Sequence, residues 1–271
     1  MTEKENSIEE QLTEEEFLEL VLAEQQKALD EERERRLNGT AKTKKQRPTV
    51  KLFIFAMAFV LFFNTFAVIF QIYSIPAIEF IKVSTQLSKQ ENIQLYKKSV
   101  VEISTGESKG TGFSISDDGY IVTNEHVIDD ALSLTVVFPE DGIYEAEVIV
   151  SDPTIDLAIL KIQANNLPHL QLADTLNFKE QEHVYFIGNP LYFTGIANEG
   201  TLINYTQLSD WEKPVMMMQA PVYKGNSGSP VFTDDGEVIG IVFATMKDQK
   251  EGKVGLFVPV DYLHEQLAKI R

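Results

Sequence analysis

The residues of this chain that could do chemistry are few enough to weigh one by one. It has four histidines. His169 follows Pro168 and His264 falls near the C-terminus, neither with an acid–base setting, and His183 reads as the edge residue of the run Val184–Ile187. His126 differs, because it closes the run Tyr120–Thr123 and is followed by Val127 and Ile128. Asp156 stands directly before the apolar run Leu157–Leu160, where a charged side chain risks burial. A buried carboxylate must have a partner, and an imidazole Nδ1–H is one. The third element is Gly225-Asn226-Ser227-Gly228-Ser229-Pro230, bounded by apolar runs. Two glycines flanking one serine permit a sharp turn that exposes the hydroxyl while backbone N–H groups converge, a nucleophile and an oxyanion hole in one segment. Singly, these read as a structural histidine, a turn-capping aspartate and a Gly/Ser turn. Their occurrence in one chain in the order His126, Asp156, Ser227 points to an activated hydroxyl.

The elements that must position them are short β-type runs separated by glycine and Asp-Gly turns. The runs are Gly112–Ser116, Tyr120–Thr123, Leu134–Phe138, Glu145–Val150, Leu157–Ile162, His183–Ile187, Val215–Gln219, Val231–Thr233, Glu237–Ala244 and Val254–Val260. Turn signals such as Asp118-Gly119, Asp141-Gly142 and Asp235-Gly236 lie between them. With no amphipathic helices interposed, the pattern predicts an all-β barrel or sandwich over residues 99–271, ending in a short helix from Asp261 to Arg271.

The first 98 residues have another texture. Residues 1 to 40 hold 13 acidic and 5 basic side chains. Ile8, Leu12, Phe17, Leu18, Val21, Leu22 and Leu29 recur at helical spacing, and Ser7 with Glu10 and Thr13 with Glu16 fit capping boxes. This acidic helical segment is either a solvated face or a docking element for a cytoplasmic partner. Lys42, Lys44, Lys45, Arg47 and Lys51 then reverse the sign, and no charged residue occurs from Leu52 to Ile78. Within it the nearly all-apolar stretch Leu52–Phe70, nineteen residues at 1.5 Å each, reaches roughly 28 Å, the thickness of a bilayer's hydrocarbon core. The domain reading is therefore a cytoplasmic segment over 1–51, a transmembrane helix over 52–74, an extracytoplasmic stalk over 75–98 and a globular domain over 99–271. The basic residues ahead of the span place the N-terminus in the cytoplasm and the globular domain outside.

The whole chain has 271 residues, with 41 acidic against 24 basic side chains, a net charge of −17 and no cysteine. The acidic balance argues against nucleic acid as a partner. The absence of cysteine excludes disulfide staples, thiol catalysis and cysteine-ligated metals.

From about residue 100 to 260 the chain resembles the trypsin-like serine proteases of the HtrA/DegP type. The stretches that carry the resemblance are Gly110–Ser116, Asp118–Val127 with His126, Asp152–Lys161 with Asp156, Ile187-Gly188-Asn189-Pro190, Gly225-Asn226-Ser227-Gly228 and Gly236–Ile241. The resemblance implies two packed six-stranded antiparallel β-barrels with the site between them. It implies Ser227 as nucleophile, His126 as general base and then acid, and Asp156 as the group that fixes the histidine tautomer. Gly225, Asn226 and Ser227 would form the oxyanion turn, with the N–H groups of Gly225 and Ser227 as donors. No metal and no organic cofactor is needed. Val222, Ala244 and Met246 would line the primary pocket beside the strand Val242–Met246, which would pair with substrate backbone. A pocket without an acid favours small or medium apolar residues. The substrates implied are unfolded or extended polypeptides, and a homotrimer is what the family leads one to expect.

Two departures stand out. Ser229 occupies a position where the HtrA type carries glycine, as in glutamyl endopeptidases, yet Val242 stands where those enzymes have the histidine that reads a substrate carboxylate. The resemblance also stops at the protease domain, with no peptide-binding PDZ domain expected after it. Two other readings fit the same residues: a non-catalytic module holding extended peptides by strand addition, and a transmembrane signalling component whose output is the acidic helix.

Overall fold

The computed structural model describes residues 14–37, 48–106, 108–129, 131–190 and 193–270. The capping residues Ser7, Glu10 and Thr13, and the basic run at 42–47, lie outside them. The chain divides into two compact units, residues 1–69 and residues 70–271.

In the first unit, α1 (Glu14–Leu37) is exposed from Leu18 to its end, consistent with a helix built mainly of charged residues. Its surface carries the i, i+4 pairs Glu31–Arg35 at 3.6 Å and Glu32–Arg36 at 2.8 Å, which support an isolated helix modestly. Helix α2 (Pro48–Leu87) opens on a proline, whose missing N–H costs nothing at a first helical position. Its window Thr49–Phe66 has a mean hydropathy of 1.9 and no buried residue, and is long and apolar enough to cross a membrane. Phe59 and Phe63, and Phe62 and Phe66, stack along it at 6.0 and 6.4 Å.

The second unit holds the β architecture that the sequence predicts. The first barrel comprises β1 (Val100–Ser104), β2 (Lys109–Ser114), β3 (Tyr120–Thr123), β4 (Thr135–Phe138), β5 (Gly142–Asp152) and β6 (Leu157–Ile162), closed in the order β1-β2-β3-β6-β5-β4. The second comprises β7 (His183–Gly188), β8 (Ile196–Thr206), β9 (Val215–Gln219), β10 (Pro230–Phe232), β11 (Val238–Asp248) and β12 (Gly252–Pro259), closed as β10-β11-β12-β9-β8-β7. Every pairing between these strands is antiparallel.

Each barrel is filled by its own branched and aromatic side chains, Val101, Ile103, Ile121 and Leu160 in the first and Phe186, Met216, Met218 and Phe257 in the second. A further cluster joins Phe113, Val122 and Ile159 of the first barrel to Ile187, Phe232 and Ile241 of the second. That shared core fixes the two barrels against each other. Full burial of such side chains stabilises by about 1.5–3 kcal/mol each before entropy is counted.

The stretch read from sequence as a polar, partly helical stalk over 75–98 is formed by the last turns of α2 and by α3 (Glu91–Ser99), with a turn at residues 88–90 between them. Phe80, Leu87 and Ile93 are buried there, and Leu87 and Ile93 join the inter-barrel cluster. Two more short helices complete the unit, α4 (Glu125–Ile128) directly after β3 and α5 (Val260–Ile270) directly after β12.

Candidate active site

His126 is carried by α4, the single helical turn that follows β3, and Asp156 by the turn between β5 and β6. Strands β3 and β6 are hydrogen-bonded neighbours, with Thr123 opposite Ala158, so the ends of the two strands bring the side chains together. One Asp156 oxygen lies 2.7 Å from His126 Nδ1, and the other accepts the His126 backbone N–H at 2.9 Å. The carboxylate thus holds both the ring and the main chain of the histidine. Asp156 has a left-handed backbone, φ +48°. Aspartate tolerates that region better than most residues, and such strain collects at functional sites. The Asn124 amide steadies the turn by donating to the Asp156 carbonyl at 2.8 Å.

The hydrogen bond to Asp156 holds the His126 pKa above its ordinary 6.5; burial opposes the rise, and the charges of Asp156 and Glu125 add to it. His183 also faces carboxylates, Asp234 at 2.8 Å from Nδ1 and Glu199 at 3.3 Å from Nε2. Both of its ring nitrogens are occupied, which leaves none to activate a hydroxyl.

Ser227 sits in the connection between β9 and β10. The Asn226 N–H donates to the Tyr223 carbonyl at 3.1 Å, closing a four-residue turn with Gly225 at φ +96° in its third position, a value that a type II turn requires. The N–H groups of Gly225 and Ser227 donate to no acceptor among the described residues. Asn226 is wholly buried, and a Cβ on Gly188 would come within 2.6 Å of its Oδ1. The first barrel ties the turn down: the Thr111 hydroxyl donates to the Gly225 carbonyl at 2.7 Å, and the Thr111 N–H donates to the Ser227 carbonyl at 2.9 Å. Next to Thr111, Gly110 lies against Val127, the neighbour of His126. The Ser227 hydroxyl donates to the Phe243 carbonyl at 3.3 Å and makes no hydrogen bond to His126.

Beside Ser227 opens a cleft of about 290 Å³ whose walls include Val222, Val242, Phe243, Ala244 and Thr245. Lys224 and Lys253 also border it, and no carboxylate does. Met246, expected on this wall, does not line the cleft. It packs instead on the cluster of Ile203, Val215, Val254 and Leu256, and the cleft wall formed by β11 runs only from Val242 to Thr245. Sequence reasoning named Phe243 only as part of the strand expected to pair with substrate. It did not single out Thr111 or Lys253, whose partners lie 114 and 31 residues away in the chain, so spacing offers no sign of them. Among the described residues, no group of three or more His, Asp or Glu side chains is arranged to hold a metal ion.

Residues 110–241 match the trypsin-like peptidase domain. The chain is 36% identical over 168 residues to a probable periplasmic DegP-like serine endoprotease of Halomonas elongata, covering 60% of this chain and 35% of that protein. It is 41% identical over 137 residues to the protein so described in Pseudomonas fulva, covering 50% of this chain and 29% of the other. The chain thus spans about a third of the length of the curated relatives it matches. Among solved structures, it resembles the active form of the Rv3671c protease of M. tuberculosis with 30% identity and a TM-score of 0.60, covering 68% of this chain and 86% of that one. A serine endoprotease of Yersinia pestis aligns with 29% identity and a TM-score of 0.58, covering 66% and 64%. With two closed barrels, a matching domain over residues 110–241 and a protease of 30% identity covered over most of its length in accord, the chain belongs to the trypsin-like serine proteases, and it is similar in sequence to DegP-like endoproteases.

Proposed function

We propose that this protein is a membrane-anchored serine endopeptidase whose protease domain works outside the cytoplasm on misfolded or exposed polypeptides, a quality-control role. The observation that carries the reading is the double hold of Asp156 on His126, at 2.7 and 2.9 Å. With Nδ1 committed to the carboxylate, Nε2 is the nitrogen left to act as base. Ser227 Oγ attacks the scissile carbonyl as His126 takes its proton, and the imidazolium then protonates the leaving amine. Asp156 stays ionised and fixes the tautomer. The Gly225 and Ser227 N–H groups receive the oxyanion, and each such donor is worth about 3 kcal/mol of transition-state stabilisation. Water then releases the acyl group by the same steps in reverse order.

Substrate binding supplies the missing serine–histidine contact. Strand β10 and the Gly228–Ser229 backbone leading into it cover one edge of β11 only from Val238 to Val242, while β12 covers the other edge. Beyond that point an extended substrate can add as a strand. A substrate N–H that takes the Phe243 carbonyl frees the Ser227 hydroxyl to turn toward His126. Val222, Val242 and Ala244 then suit a small or medium apolar side chain before the scissile bond.

Anchoring rests on the apolar window Thr49–Phe66, and orientation on the basic residues ahead of it. The test uses the full chain in detergent beside its Ser227→Ala variant, with fluorophosphonate labelling and mass spectrometry of an unfolded substrate. Cleavage and labelling that vanish in Ser227→Ala are expected. A wild-type protein that neither labels nor cleaves, yet retains extended peptides, would make it a binding module instead.

A further inference from the structure

Helix α2 continues past its apolar window until it touches the oxyanion turn. Phe80 is buried and its ring meets that of Tyr223 edge-on, with centroids 4.7 Å apart at 74°. Tyr223 is the first residue of the turn, whose carbonyl accepts the Asn226 N–H. Lys253 Nζ lies 5.3 Å from the same ring and donates to the Val222 carbonyl at 3.2 Å. The helix is also pinned through polar groups to β8. The Asn198 amide donates to the Phe80 carbonyl at 3.4 Å, and the Ala197 N–H donates to the buried Ser84 hydroxyl at 3.2 Å.

The physical importance of this contact comes from turn geometry. Type I and type II turns have nearly the same ends and differ by a flip of the central peptide, which here joins Lys224 to Gly225. Glycine at the third position permits both. One state presents the Gly225 N–H to the reacting carbonyl, and the other presents the Lys224 carbonyl in its place. Thr111 holds the Gly225 carbonyl and so fixes the far peptide of the turn, not the central one. Lys224 is exposed and borders the open cleft. The near end is therefore set by how Tyr223 is packed, and α2 supplies one side of that packing.

We propose that Phe80 is a positioning residue for the oxyanion turn: by bracing Tyr223 it keeps the Gly225 N–H turned into the site, so that the helix carrying the apolar span also tunes the reactivity of Ser227. This rests on the reading of Gly225 and Ser227 as oxyanion donors. Phe80 touches no substrate, so its loss lowers turnover and leaves substrate binding nearly as it was.

The experiment uses the full chain in detergent with Phe80→Leu, Tyr223→Leu, the double variant, Phe80→Tyr and Ile81→Ala, the last on the helix's exposed face. Rates of fluorophosphonate labelling and steady-state kcat and KM on one peptide are read for each, with thermal melting as a check on folding. Phe80→Leu and Tyr223→Leu should each lower kcat and the labelling rate by about tenfold, with KM changed less than about twofold in Phe80→Leu; Tyr223 borders the cleft, so its variant is read by kcat and labelling alone. The double variant should be no worse than the poorer single one, since both cut the same link. Phe80→Tyr should restore the rate, and Ile81→Ala should keep it. A Phe80→Leu enzyme with wild-type kcat, effects that multiply in the double variant, or a loss that tracks only the folded fraction would overturn the proposal. A wild-type protein that takes no label at all would overturn the active-site reading beneath it.

Discussion

The Thr111 hydroxyl, on the second strand of the first barrel, donates to the carbonyl of Gly225 in the second barrel at 2.7 Å. The same oxygen accepts the Asn189 N–H at 2.9 Å, and Thr123 steadies the arrangement by donating to the Thr111 carbonyl at 2.7 Å. One hydroxyl thereby links the serine turn, the Asn189 loop and the strand beside α4. Thr111→Val keeps the shape and removes the hydroxyl, leaving the buried Asn189 N–H unpaired at about 1–3 kcal/mol and the half-buried Gly225 carbonyl untethered. We expect a clear fall in melting temperature and in kcat, with Thr111→Ser recovering both. Differential scanning calorimetry and steady-state kinetics on the three proteins check this, and unchanged kcat in Thr111→Val would mean the turn needs no tether.

The pH profile follows from the His126–Asp156 pair. The base must be neutral, and the aspartate hydrogen bond raises the histidine pKa. Activity should therefore rise with pH through a midpoint above 6.5, the ordinary value. The same shift has the opposite sign for folding. The pair's contribution to stability is complete below the unfolded histidine's pKa and is lost as pH rises through the folded one. Asp156→Asn should bring the midpoint of kcat/KM down and cut kcat on the order of 10⁴-fold. A midpoint that does not move in Asp156→Asn would assign the titration to another group.

Gly228 is required twice over. Its φ is +84°, and a Cβ there would run into the Thr111 carbonyl and 2.6 Å from Thr123 Oγ1. Gly228→Ala should push the serine turn away from β2, with both fluorophosphonate labelling and cleavage lost. Near-wild-type labelling of this variant would show that the turn does not depend on its contact with the first barrel.

Val222 is buried under the cleft and packs close to Gly255. Val222→Ala deepens the cleft, so larger apolar residues before the scissile bond should gain. A change of a methylene or two in such a pocket shifts preference by about 10–200-fold. Profiling cleavage sites by mass spectrometry reads the ratio of Leu or Phe to Val or Ala. An unaltered profile would remove Val222 from the pocket.

Most of the barrel framework is legible in the sequence, since period-2 apolar runs and Asp-Gly turns mark a strand wherever one face is buried. β8 escapes that rule. Its Asn198, Glu199, Gly200 and Asn204 have low strand preference, and pairing with β7 and β9 overrides it. β1 is five residues long and directly follows α3, so no turn signal announces it. Within the site, the types and order of His126, Asp156 and Ser227 are plain from sequence, because nucleophilic catalysis restricts them to a few residue kinds. Thr111 and Tyr223 are not, because a threonine that tethers a turn and a tyrosine that braces one look like any others until distant segments meet. Residues 78–98 show the reverse problem. Their polar average hides a stripe on one face of α2, buried Phe80, Ser84 and Leu87 with half-buried Val83, which is only two turns long and is broken by a serine, and Ile93 beyond it.

The half-covered edge of β11 has a consequence for what the enzyme can choose. Its offer to a substrate is a row of main-chain donors and acceptors, and the reply must be a stretch of backbone whose own N–H and C=O groups are unspent. A segment wound in a helix or shared within a sheet has already committed them. Under the function proposed above, such a chain is refused whatever its side chains, and discrimination falls first on conformation and only then on the residue at the cleft. On that proposal an intact neighbour is spared by the same hydrogen bonds that keep it folded, and it becomes a target when it lets them go.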